Sequence, residues 1–263
     1  MRHSIGICKL SFQLEAKKGI NQNNEDSKVL LIIPCYNEEA NITALFRSIQ
    51  SSISYQGFAV DVLFIDDCST DDTRSIMEVN KIPHIALAVN LGIGGAVQTG
   101  VKYAFQQGYD WVIQMDGDGQ HPPVELSKFF KYATLHQPDL LIGSRFLERK
   151  GFQSTRLRRI GIQFFSTLIR FFSSTHITDA TSGYRMLGRR AIERACLYYP
   201  DEYPEPEFLL DCLLRGFKVE EIPVEMEERQ AGKSSIQSFF QVYYMMKVSL
   251  SMFFHYVRYT FNQ

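Results

Sequence analysis

No stretch of this chain reaches the roughly 18 uninterrupted apolar residues that a membrane-crossing helix requires, so no span is expected. A disulfide framework is missing as well: Cys8, Cys35, Cys68, Cys196 and Cys212 are odd in number, scattered and without a CxxC pair. That pattern favours a reducing cytoplasm. Charge of either sign is not in excess, with 28 Lys and Arg against 29 Asp and Glu. General nucleic-acid binding needs a strong basic surplus and is excluded. There is no internal repeat and no low-complexity tract. Residues 1–28 carry no apolar core long enough for a secretory signal and end in the polar NQNNEDSK, which reads as an N-terminal extension.

What the chain does have is alternation. The apolar runs VLLII (29–33), VDVLFI (60–65), IALAV (85–89), DWVIQM (110–115) and DLLIG (139–143) alternate with amphipathic stretches. The first of those stretches runs from Glu38 to about Ser52, with Ala40, Ile42, Leu45, Phe46 and Ile49 on one face. Such alternation predicts βαβ units, a mostly parallel Rossmann-like sheet and helices on both of its faces. Further on, 156–174, 205–215 and 235–262 read as helices, ATSGYRML as a strand or turn and FKVEEIPVEM as a strand. A single catalytic domain over 29–235 is expected, its second half forming the acceptor side. The ligand crevice of such a sheet lies beyond the carboxyl ends of its strands, and the polar motifs fall there.

After the first strand come Pro34, Tyr36 and Glu38: a ladder stop, a ring on which a base can stack and an acidic hydrogen-bond acceptor. An acid-rich helix start fits the same letters. After the second strand, Ser69 or Thr70 suits a helix cap, whereas Asp66 and Asp67 can hold a base or ribose. Gly92-Ile93-Gly94-Gly95 fails the dinucleotide fingerprint, because Val97 occupies its third glycine position. It fits either a backbone approach to a nucleotide or a plain helix start.

The fourth strand ends in QMDGDGQHPP. Two aspartates two residues apart repel unless a cation sits between them, and two glycines loosen the backbone around them. An EF-hand is excluded, since His121 and Ser127 stand sixth and twelfth from Asp116. Asp116 and Asp118, with Gln120 as a further oxygen, therefore make a candidate Mg²⁺ or Mn²⁺ site bridging a nucleotide diphosphate. Pro122-Pro123 suits the start of the next helix.

P-x-Y-N-E, D-D-x-S-x-D-x-T, D-x-D-x-Q-H-P-P and G-S-R, in this order at successive strand ends, resemble glycosyltransferase family 2, with its GT-A fold. The nearer likeness is to the polyprenyl-phosphate branch, similar to dolichyl-phosphate mannose synthase. The resemblance implies an inverting, metal-dependent hexosyltransferase that moves a sugar from a nucleotide diphosphate sugar to a polyprenyl phosphate. A UDP-sugar is the preferred donor and GDP-mannose an alternative. It implies nucleotide-sugar contacts at Pro34, Tyr36, Glu38, Asp66, Asp67, Asp116, Gly117 and Lys233. Metal ligation falls to Asp116, Asp118 and Gln120, and catalytic roles to Asp118, Arg145 and Arg229. Arg229-Gln230-Ala231-Gly232-Lys233-Ser234-Ser235 resembles the family's mobile R-x-x-G-x-S-K loop, with Lys233 displaced from the usual lysine position. Acceptor contacts are implied for Arg145, Arg158, Arg159, Asp179, Ser182, Glu205 and Glu207. Seven Arg and Lys against one Glu between Arg145 and Arg170 favour an anionic acceptor. A sugar-hydroxyl acceptor in polysaccharide assembly is the alternative, and it requires a general base among Asp179, Glu205 and Glu207.

The segment 236–263 carries nine aromatic residues between Ile236 and Phe261 and only two formal charges, Lys247 and Arg258. Lys247, Ser249, Ser251 and His255 interrupt its apolar surface. A helix lying in the membrane interface is expected, on the cytoplasmic face. A small membrane-anchoring partner or a homodimer is the accompanying expectation.

Overall fold

The computed structural model describes residues 26–148, 150–151, 156–202, 204–227 and 238–261. Strand β1 (Ser27–Cys35) pairs in parallel with β2 (Phe58–Asp66) and with β4 (Trp111–Gln114), and β3 (His84–Ala86) adds to the far side of β2. Strand β6 (Arg185–Leu187) runs antiparallel between β4 and β5 (Leu140–Ser144), and β7 (Val219–Pro223) closes the edge parallel to β5. The sheet order is β3-β2-β1-β4-β6-β5-β7. This is the expected mostly parallel sheet, with ATSGYRML supplying, among the described residues, its one antiparallel strand.

Residues of β1 alternate between two cores, as the two-residue period of a strand demands. Leu30 and Ile32 join the cluster that receives α3 (Gly92–Gln107), α5 (Arg156–Ser173), α6 (Arg189–Leu197), α7 (Pro204–Leu214) and α8 (Ser238–Phe261). Val29, Leu31 and Ile33 join the opposite cluster, with α1 (Ile42–Ser52), α2 (Thr73–Val79) and α4 (Leu126–His136). All five side chains are buried, and each contributes about 1.5–3 kcal/mol relative to exposure. Layers on both faces leave the strands' ends as the open rims, and the polar motifs lie at the carboxyl rim.

Several boundaries move from expectation, each for a local reason. Helix α1 starts at Ile42 rather than Glu38, because Asn37 takes a positive φ of 56° and Glu38 O accepts the amides of Asn41 and Ile42. Strand β3 stops at Ala86, short of Val89. A single 3-10 turn, Pro123–Glu125, precedes α4, since proline fixes φ and donates no amide. Neither Ser69 nor Thr70 caps α2; Asp71 Oδ1 accepts the Thr73 amide at 2.9 Å. Helix α6 was not anticipated.

Helix α8 docks with its polar side inward. Ser251 donates to Glu207 at 2.6 Å, His255 Nε2 lies 2.9 Å from Asp211 and Lys247 pairs with Glu202 at 2.5 Å. These three positions recur every four residues, so they form one stripe. Val248 and Met252 enter the core beside it, whereas Tyr243, Met246, Leu250, Phe253 and Phe254 face outward. Among the described residues no helix is long and apolar enough to cross a membrane.

Candidate active site

The polar letters after β1 and β2 hold one another. Asn37 N donates to Ser69 Oγ (3.0 Å), Glu38 N to Thr73 Oγ1 (2.8 Å), Thr70 N to Asn37 Oδ1 (2.8 Å) and Asp72 N to Glu39 Oε2 (2.9 Å). Asp66 accepts from Ser69 N at 3.1 Å and Asp67 from Leu91 N at 2.7 Å, and both carboxylates are buried. Burial pushes the Asp67 carboxyl up, against the amides of Leu91 and Gly92 that pull it down. The Glu38 carboxylate, also buried, accepts from Asn41 Nδ2 at 2.7 Å. The laced loops form a rigid wall, from which Tyr36 projects with 47% of its surface exposed.

Gly92-Ile93-Gly94-Gly95 forms the first turn of α3, the plain helix start of its two expected readings, and Gly94 does more there. Its amide donates to Asp201 O at 3.0 Å, and a Cβ there would stand 1.9 Å from Pro200 O. The glycine loop therefore clamps the segment that leads into α7 and carries Glu205.

Beyond β4 the backbone is fixed from below. Buried His121 accepts the Asp116 amide on Nδ1 at 3.0 Å, and its ring stacks on Tyr184 at a centroid distance of 4.7 Å. With Nδ1 accepting, that hydrogen-bond geometry assigns the proton of a neutral ring to Nε2, which lies 3.8 Å from Asp116 Oδ2. Asp118 Oδ1 accepts the Gln120 amide at 3.0 Å, an Asx turn. Both carboxylates stay half open at the rim. Gly117 lies against the end of β1, where a Cβ would stand 3.1 Å from Pro34 O. A Cβ on Gly183 would stand 2.9 Å from Asp116 Oδ1, so only glycine leaves this carboxylate its cradle. Among the described residues no three His, Cys, Asp or Glu side chains gather as a protein cage for a metal. Two carboxylates with a further oxygen fit Mg²⁺ or Mn²⁺, which take one or two carboxylates and complete their shell with substrate phosphates and water.

Arg145, expected to meet a phosphate, is buried and engaged. Its Nε and Nη2 each donate to Asp179 at 2.7 Å, Nη2 also reaches Thr181 Oγ1 at 3.3 Å, and Asp179 is wholly buried. Burial works against the guanidinium's charge, but Asp179 outweighs it and, with Asp116 and Glu205, raises the pKa. Ser182 is buried too and donates to Gly143 O at 2.7 Å. Asp179 and Ser182 thus correct the acceptor-contact expectation: their polar atoms are turned into the protein, and they position the rim instead. Glu207 is corrected likewise. It faces α8, accepting from Ser251 and from Tyr198 at 3.4 Å. Just over half a turn of α7 separates these roles, for Glu205 is buried beside Arg185 and Gln114, near enough to Asp116 to feel its charge. Burial raises the Glu205 pKa, Arg185 opposes this and Asp116 adds to it.

Sequence reasoning passed over four supports. Glu221 accepts the amides of Thr178 (2.8 Å) and Asp179 (2.9 Å). Buried Arg185 donates to the carbonyls of Ser182, Ala180 and Glu205. His121 and Gly183 were visible only as letters inside motifs. Arg159 is half-buried on α5; the side chain of Arg158, and all of Arg229 and Lys233, lie outside the described residues. The chain approaches that last stretch from Glu227, whose amide donates to Gln120 O at 3.0 Å, while Gln120 Nε2 reaches back to Glu227 O at 3.5 Å.

Comparison with known proteins now adds to this geometry. The family described as Glycosyl transferase family 2 matches residues 30–195. Polyprenol monophosphomannose synthase of Mycolicibacterium smegmatis is 29% identical over 80% of this chain and 81% of its own length. Undecaprenyl-phosphate mannosyltransferase of Micrococcus luteus is 29% identical over 80% of this chain and 87% of its own. The UDP-N-acetylglucosamine–dolichyl-phosphate N-acetylglucosaminyltransferase of Methanococcus voltae is 29% identical over 64% and 72%. Glucosyl-3-phosphoglycerate synthase of Mycobacterium tuberculosis, solved with Mn²⁺, UDP and phosphoglyceric acid, superposes with a TM-score of 0.67 at 16% identity, over 88% of this chain and 78% of that one.

Proposed function

Because the chain belongs to glycosyltransferase family 2, we propose that this enzyme transfers a sugar from a nucleotide diphosphate sugar to the phosphate of a polyprenyl lipid, with inversion. The carrying observation is the half-open Asp116 and Asp118 pair at the carboxyl edge of the sheet, with Asp116 seated over Gly183. The names of relatives that act on polyprenol, undecaprenyl and dolichyl phosphates support the acceptor class.

Tyr36 stacks the base on the laced wall, and Asp66, Asp67 and Glu38 keep that wall in shape. Asp116 and Asp118, with Gln120, hold Mg²⁺ or Mn²⁺, which when bound neutralises charge gathering on the departing diphosphate. A phosphate oxygen of the acceptor attacks the anomeric carbon from the face opposite the nucleotide. The bond to the diphosphate oxygen breaks as the new one forms, and the nucleoside diphosphate leaves. A lipid phosphate is already ionised near neutral pH, so no general base is needed. Arg145, fixed by Asp179, supplies a preorganised positive field. Arg229 and Lys233 are the further residues assigned to the diphosphate, as the resemblance implies. The outward apolar face of α8 rests in the membrane interface on the cytoplasmic side, with a membrane-anchoring partner as an additional tether.

A second reading, transfer to a sugar hydroxyl, is favoured by Glu205, whose carboxyl pKa burial raises and whose neighbourhood includes the charge of Asp116. One experiment separates the two. Full-length protein with Mn²⁺, undecaprenyl phosphate and labelled UDP-sugars or GDP-mannose is expected to give label extractable into organic solvent, and Glu205→Gln to slow this only modestly. If Glu205→Gln instead costs the roughly 10²–10⁴-fold of a lost general base, or only sugar hydroxyls become labelled, the hydroxyl reading replaces ours.

A further inference from the structure

Strand β2 is paired along its whole length on one side only. It is in register with β1 from Phe58 to Asp66, whereas β3 meets its other side at Phe64, Ile65 and Asp66 alone. On that outer side Phe64 N donates to Pro83 O at 2.9 Å, and Asp66 O accepts from Leu87 N at 2.8 Å. The two-residue period of a strand then turns the amides and carbonyls of Val60 and Val62 outward as well. Among the described residues no strand pairs with 59–63 there. A row of unpaired backbone groups is a template for one more strand.

The open edge lies in a groove of about 400 Å³. Phe46 and Gln50 of α1, with Ile53 just after it, line the groove on one face of the sheet, and Tyr103 of α3 lines it on the other. A strand laid there has cover on both faces, as the interior strands have. The α1 side is short of apolar partners: Phe46, Ile53, Val60 and Val62 are only half-buried, whereas Leu31 and Ile33 of the neighbouring strand are wholly buried. On the α3 side Asp61 is exposed and accepts from the Tyr109 hydroxyl at 2.7 Å, so that face suits polar side chains. The groove therefore fits a strand that is apolar on one face and polar on the other.

The chain carries a segment of that pattern, outside the described residues but within reach. In KLSFQLEA (9–16), Leu10, Phe12, Leu14 and Ala16 alternate strictly with Ser11, Gln13 and Glu15, the period of a half-buried strand. The chain enters β1 at Ser27, whose amide donates to Gly57 O at 3.0 Å, beside the first residue of β2. Residues 17–25 join the two, and nine residues reach about 30 Å when extended. Two strand spacings, about 10 Å, separate β1 from the open position. So short a tether holds the segment at roughly millimolar effective concentration, which favours it over a second copy of the chain. We infer that residues 9–16 add to the free edge of β2 as an eighth strand, antiparallel to it, with Leu10, Phe12 and Leu14 packed toward Phe46 and Ile53. The antiparallel direction brings Ala16 to the amino end of β2, where the chain enters β1. This contact lies along the amino half of β2, away from Asp116 and Asp118, and is independent of the proposed function.

The test is amide hydrogen exchange, resolved to single residues, on full-length wild type and on the full-length double variant Phe12→Glu/Leu14→Glu. Both positions precede the described domain, and a cooperative melting transition checks that the domain stays folded. In the wild type the amides of Val60 and Val62, together with those of 9–16, are expected to exchange slowly. In the variant both sets are expected to exchange about tenfold or more faster, and the wild-type protection should not change with protein concentration. Rapid exchange of Val60 and Val62 in the wild type overturns the inference without reference to the variant. Protection that the variant keeps overturns it as well, because something other than this segment then covers the edge. Protection that fades on dilution, with light scattering showing a dimer at high concentration, assigns the edge to a second copy and likewise overturns it.

Discussion

Asp116 and Asp118 stand half open at the end of β4, whereas Asp179 and Asp211 are wholly buried, each against at least one arginine. The D-x-D spacing marks the first pair in the sequence, but nothing in the letters marks Asp179 and Asp211 as buried. The difference is what each carboxylate is left to do. A buried ion pair consumes its charges on each other and must keep both partners to avoid an uncompensated charge. A carboxylate at a solvated rim, shaped by a Gly cradle and an Asx turn, stays within reach of solvent and of a ligand. The buried set holds the protein's second half in position, and the open set lies at the carboxyl rim of the sheet.

The comparison breaks most severely if a buried partner is removed. Asp179→Ala strands Arg145 without its bidentate acceptor and is expected to cost about 3–5 kcal/mol of stability, read as a lower denaturant midpoint. Activity should fall in step with the folded fraction. An Asp179→Ala protein of native stability would mean that the pair is no structural clamp.

Asp118→Asn should do the opposite. Turnover is expected to drop about 10²–10³-fold, while the melting temperature stays close to that of the parent, because a rim charge is removed and no buried charge is orphaned. Full activity of this variant without added divalent cation would sink the metal role of the open pair.

Gly183→Ala sharpens the boundary between the two sets with a smaller effect. The added methyl meets Asp116 Oδ1 at 2.9 Å, the end of a short side chain that must turn away. Displacement of that size is expected to lower turnover by up to about 10²-fold, with only a slight loss of stability. If turnover is unchanged, the cradle does not set the orientation of Asp116.

The parallel order of the first strands, the crevice at their carboxyl ends and the D-x-D rim were all legible in the sequence. Five-residue apolar runs have one stable use, a sheet covered on both faces, and a ligand must then sit at the strand ends. Helix α6 escaped because its apolar positions, Ala191, Ile192 and Ala195, are small and diluted by four charged residues, Arg189, Arg190, Glu193 and Arg194. Its stability comes from packing, including Arg189 over Phe105 at 4.8 Å and Arg190 over Phe217 at 4.2 Å.

In α7 and α8 the sequence determined composition but not direction. Glu205 and Glu207 are two residues apart and look interchangeable, yet a helix turns them to different neighbours, one toward Arg185 and Gln114 and the other toward Ser251. Lys247, Ser251 and His255 read as interruptions of an apolar surface, and the fold makes them the docked face because Glu202, Glu207 and Asp211 wait opposite. Sequence alone indicated the parallel strands of the first half and the strand ends where the polar motifs gather. Which acids are buried, which stretch of β2 keeps an open edge and which side of α8 meets the domain were decided only by tertiary structure. Those outcomes depend on long-range pairs, and no local period encodes who stands across the gap.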